Sequence, residues 1–132
     1  MRAVLCLIAC VPLLALPQTS AAAAAAGVKP QTVTHCIAHM HRELPGEPVA
    51  SLRPGCICQL NHIRDTVSDQ DYAFWEAQLA VMGDERAEPM QRTQNLMRLF
   101  QSRGAVASMG KVADAAEEAI DVCNLTTWDT TP

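Results

Sequence analysis

The chemistry-bearing residues of this chain are six cysteines and four histidines. Cys56-Ile57-Cys58 sits between a turn-rich stretch and a run of helical spacing, with Cys36 upstream and Cys123 far downstream. His35-Cys36-Ile37-Ala38-His39-Met40-His41 packs imidazoles, a thioether and a sulfur into one short segment. Thiols can bridge, bind a metal or exchange disulfides, and the compartment decides much of that choice.

The start of the chain speaks to compartment. Met1-Arg2 supplies one positive charge, and Ala3 to Leu16 is almost wholly apolar. Pro17-Gln18-Thr19-Ser20 breaks the run, and Ala21 to Ala26 offers small residues for a peptidase. That order reads as a secretory signal over residues 1–26. The apolar run is shorter than the roughly 20 residues a spanning helix needs. Leu7-Ile8-Ala9-Cys10 resembles a lipoprotein box, but much of the apolar core follows the cysteine. Cys6 and Cys10 are therefore read as ordinary signal residues. Four cysteines remain, and an even number in an exported chain reads as two disulfides.

Helix geometry constrains the pairing. Residues i and i+2 of a helix diverge by about 200°, so Cys56 and Cys58 should reach different neighbours. Cys56 lies on the apolar face of its helix and Cys123 on an apolar seam near the end of the chain. The expected bridges are Cys56 to Cys123 and Cys36 to Cys58, with the swapped connectivity close behind. A thiol-exchange role for Cys56 and Cys58 is the alternative, since both are expected at a helix start with Arg53 nearby. Against it stand two further cysteines and no alternating β–α pattern.

His35 and His39 stand one turn apart and can share a metal. With Met40 or His41 the set suits copper, which takes imidazole and soft ligands, or zinc. No third ligand is specified, so a solvated histidine face is the plainer reading. His62 is isolated. No glycine-rich phosphate loop or serine elbow is present. Tyr72, Phe74 and Trp75 fit a core stripe better than a ligand box. Asn124-Leu125-Thr126 is a glycosylation sequon, relevant in a eukaryotic source.

The elements that position these residues are all helical. The first helix is expected over 31–43, with Val33, Cys36, Ile37, Met40 and Leu44 in one stripe. Residues 45–55 hold three prolines and two glycines and read as a connector. The second helix is expected over 56–66. Ser68 and Asp71 form a capping box, with Val67 and Tyr72 as a hydrophobic staple, at the head of a third helix over 69–82. A fourth is expected from Pro89 to Arg103 with Met90, Thr93, Leu96, Met97 and Phe100 in its stripe. A fifth is expected over 105–124 with Val106, Met109, Ala113, Ala116, Ile120 and Cys123 as its seam. Leu125 to Pro132 reads as a polar tail, with Trp128 able to fold back.

The expected fold is thus all-α, an irregular bundle of four to five short helices stapled by two disulfides after a cleaved signal peptide. Its domain spans 27–124. The whole sequence carries net charge −4, and losing residues 1–26 removes one base and no acid. A mildly acidic chain with no basic cluster does not fit nucleic acid. No later stretch is long enough to span a membrane, and no cofactor is called for. The expected function is a non-enzymatic, secreted or periplasmic helical domain with a binding or envelope-associated role, its partner a protein or small molecule. The alternatives are a copper- or zinc-binding protein and a thiol-disulfide redox protein.

Overall fold

In the computed structural model, residues 27–125 are described. They form α1 (Pro30–Glu43), α2 (Val49–Thr66), α3 (Asp69–Met82), α4 (Pro89–Phe100) and α5 (Ala105–Val122), with no strand among them. The expected signal segment and Trp128 lie outside the described residues.

Four helices close a ring. α1 packs on α2, α2 on α5, α5 on α3, and α3 back on α1; α2 and α3 meet only slightly across the middle. α4 lies outside the ring against α3, and none of its residues is buried. One core cluster joins Val28, Val33, Cys36, Ile37, Leu52, Cys56, Leu60 and Leu79. A second joins Ile63, Tyr72, Val112 and Ala115.

Local chemistry accounts for the helix ends. Pro30 starts α1 with its fixed φ, where its missing N–H costs nothing. The Ser68 hydroxyl accepts from the Asp71 amide at 3.2 Å and donates to the Asp71 carboxylate at 2.7 Å. Val67 and Tyr72 meet in the second core cluster, as the staple requires. Arg92 donates to the Asp84 and Ala87 carbonyls, which fixes the link between α3 and α4. Gly104 has φ 81°, so a glycine suits the turn into α5.

Three expectations are corrected. The connector over 45–55 is too long: α2 begins at Val49 and runs through Pro54 and Gly55. Pro54 removes one helical hydrogen bond, that to Ala50. Both residues are exposed, so water can reach the freed carbonyl. Burial of Leu52 and Cys56, both fully enclosed, offsets the loss.

Gly83 follows α3 with φ −86°, an ordinary backbone conformation. It is glycine because α1 passes too close for a Cβ, which would overlap the backbone of His35.

The face of α5 is also different. Its buried stripe is Ala105, Ser108, Val112, Ala115 and Ala119. The expected seam points largely outward, with Val106 73%, Met109 40% and Ile120 42% exposed. Small side chains let α5 approach α2 and α3 closely, as interaxial distance follows the residues at the contact. Leu125, expected in the tail, is buried.

Candidate functional site

The cysteines pair as Cys36–Cys56 and Cys58–Cys123. This is the swapped connectivity. The reason lies in the faces of the helices. Cys36 and Cys56 are 2% and 0% exposed and meet inside the first core cluster, between α1 and α2. Cys123 caps α5 at the rim, not on an inward seam, and meets the half-buried Cys58 there. The roughly 200° between Cys56 and Cys58 is used as expected, but with α1 and α5 exchanged. Cys56 also lies two turns inside α2, beyond the reach of its N-terminal dipole, which fades within the first turn.

The histidine segment does not converge. His35 opens on a cleft of about 230 Å³ with Lys29, Thr32 and Glu76. His39 opens on another of about 350 Å³ with Arg42, Met82, Arg92 and Leu96. His41 faces a third with Val49 and Arg53, one ring nitrogen 3.2 Å from the Glu47 carbonyl oxygen. Met40 packs against the core. Burial holds the His39 imidazole below its ordinary pKa, against the opposing pull of Glu43 3.9 Å away. Among the described residues no group of three or more His, Cys, Asp or Glu is placed to hold a metal ion. His62 is not isolated: its Nε2 lies 3.3 Å from Glu118 of α5.

A polar cluster that the sequence did not reveal joins α3 to α5. Asp71 is 5% exposed and accepts from Ser108 at 2.7 Å, from Ser68 at 2.7 Å and from Lys111 at 3.2 Å. The Ser108 and Ser68 hydrogen bonds, with Lys111, hold its carboxyl at about 2 against the effect of burial. The carboxylate is saturated by its partners, so the arrangement is suited to fixing the register of α5 rather than to proton transfer. The adjoining cleft, about 320 Å³, is shallow and bordered by Thr66, Asp114 and Glu118. Ser108 falls on the inward stripe of α5, and recognising that stripe would have exposed the cluster.

The remaining chemical feature is apolar. Large hydrophobic side chains stand exposed on α4 and α5: Met90 70%, Met97 57%, Val106 73%, Met109 40%, Ile120 42% and Val122 61%. Scattered apolar residues are ordinary on a surface, but a stripe at 3–4 spacing along one helix is the form of a partner contact. Among the described residues no helix is long and apolar enough to cross a membrane. No family model, curated protein or solved structure matches the chain.

Proposed function

We propose that this chain is an exported, non-enzymatic binding module that presents an apolar helix face to a protein partner. The observation that carries the reading is the outward stripe Val106, Met109, Ala113 and Ile120 of α5, held in place by a bridge at one end and the Asp71 cluster at the other. Export is supported by the signal-like residues 1–26 and by the pairing of all four cysteines beyond them, as an oxidising compartment favours. A thiol-exchange role has less support because the Cys36–Cys56 sulfurs are buried and exchange needs access. A metal role has less support because His35, His39 and His41 face separate clefts.

The test is site-specific photocrosslinking in an export-competent host. A photoreactive side chain at Met109 is expected to trap a polypeptide, and one at the exposed Glu85 is not. No adduct at Met109 sinks the reading. Intact mass of the exported protein checks the other half: it should lack the signal and the hydrogens lost to two bridges.

A further inference from the structure

Away from α5, a cleft of about 350 Å³ opens between α1 and α4. Arg42 reaches it from α1 and Arg92 from α4, and Met82, Pro89 and Leu96 line it with apolar surface. Main-chain carbonyls hold both guanidiniums in place. Arg42 donates through Nη2 to the Met82 carbonyl, and Arg92 through Nη1 to those of Asp84 and Ala87. Carbonyls orient a guanidinium without neutralising it. Neither arginine makes an ion pair among the described residues. The Asp84 carboxylate accepts instead from the Arg86 amide at 2.9 Å.

The atoms already used decide what is left. A guanidinium carries five N–H donors in a fixed planar fork. The two carbonyls take both hydrogens of Arg92 Nη1. Its Nε–H and one Nη2–H lie side by side along the opposite edge, and no described residue accepts from them. Such an edge grips a carboxylate through two parallel hydrogen bonds. Charge points the same way. Two guanidiniums against the one carboxylate of Glu43 leave the cleft with a single net positive charge, on a chain whose total is −4. That count leaves out His39, whose cation burial disfavours. Glu43 is 63% exposed and lies 3.9 Å from His39, so it stands at the rim and leaves the fork open. One net charge matches a monoanion, and the volume falls at the small end of ligand sites.

We infer that this cleft binds an organic monocarboxylate carrying a short aliphatic group. The carboxylate meets the open edge of Arg92 and the remaining donors of Arg42, and the aliphatic group lies against Met82, Pro89 and Leu96. A polypeptide C-terminus that ends in an aliphatic residue and a free aliphatic acid both present that chemistry. The site is separate from the α5 face and stands or falls independently of it.

Titration of the mature, oxidised, isotope-labelled protein, followed by amide chemical shifts, is the test. N-acetyl-leucine stands for the polypeptide end, isocaproate for the free acid, and N-acetyl-leucinamide for the same side chain without the charge. N-acetyl-leucine is expected to bind with a Kd of about 1 mM, the scale a ligand of that size reaches. The shifts should centre on residues 39, 42, 92 and 96. The uncharged amide should bind about tenfold more weakly, as loss of a charge-assisted pair implies. Tighter binding of N-acetyl-leucine than of isocaproate supports the polypeptide end, and the reverse supports the free acid. Arg92→Lys keeps the charge but not the fork and should weaken N-acetyl-leucine about tenfold. Glu43→Gln removes the one like charge at an exposed position and should tighten it about threefold, the scale of a partly screened pair. Glu43 takes no part in the α3–α4 link, so this variant decides the matter even where Arg92→Lys loosens that link. Equal binding of acid and amide, inorganic phosphate bound as tightly as N-acetyl-leucine, or no gain in Glu43→Gln overturns the inference.

Discussion

Two glycines show how differently single residues are held. Gly83 lies where any Cβ would strike the His35 backbone, and α1 cannot yield there as a side chain would. Gly83→Ala should cost about 2 kcal/mol or more, the range of overpacking in a tight core. Gly110 sits mid-helix with open space around it. Gly110→Ala should add about 1 kcal/mol in dilute protein, where helix propensity decides. Urea titration of both variants checks the pair, and equal effects would contradict the geometry. Asp71 gives a third residue-level expectation. Its carboxyl is held at about 2, below the usual 3.8, first by Ser108 and then by Ser68 and Lys111. A group with a depressed folded pKa contributes above its unfolded value and loses that contribution as pH falls through the folded one. The Asp71 contribution is thus full above about pH 4 and fades toward pH 2. Ser108→Ala should lower the Tm at pH 7, and its deficit against the parent should shrink across that acid window.

At the scale of elements, legibility followed the strength of the local signal. α3 was readable to the residue because Ser68, Asp71, Val67 and Tyr72 mark its start with both a polar and an apolar contact. The ends of α1 followed from Pro30 and Pro45-Gly46. The start of α2 is hidden in the sequence because the penalty of proline is local and visible, whereas the enclosure of Leu52 and Cys56 that outweighs the missing hydrogen bond is set by tertiary packing. Pro54→Ala should restore that bond and stabilise the fold by about 2 kcal/mol; no gain in Tm would show that the ring itself contributes to packing. The rotation of α5 is ambiguous in the sequence because the helix carries two stripes of equal period. The bulkier one looks like a core. The choice between them is set by partners distant in sequence: Ser108 meets Asp71, and Cys123 meets Cys58. Periodicity reports that a stripe exists, not which neighbour takes it. The cysteine pairing differs from expectation for that same reason, since Cys123 stands at the rim and not on the inward stripe.

Across the whole molecule, α2 is the common member of both bridges, and the two differ in setting. Cys36–Cys56 spans 20 residues inside the core, and Cys58–Cys123 spans 65 at the rim. By the chain-entropy relation these loops are worth about 3 and about 4 kcal/mol respectively. The more stabilising bridge is therefore the more accessible one. Under mild reductant without denaturant, a thiol should reach Cys58 and Cys123 first, while Cys36 and Cys56 wait for global unfolding. Losing the outer bridge frees the C-terminal end of α5. Its first half stays tied through Ser108 and Asp71, and Val112 and Ala115 remain in the core. The expected product is a folded protein with a frayed α5 end, not an unfolded chain. Alkylation during a reduction time course, read by mass spectrometry, should label Cys58 and Cys123 together and well before the other pair. Hydrogen exchange of the same samples should rise over residues 116–122 and stay protected in α1 and α2. Simultaneous labelling of all four cysteines would mean that the two bridges share one cooperative unit and that α5 cannot loosen alone.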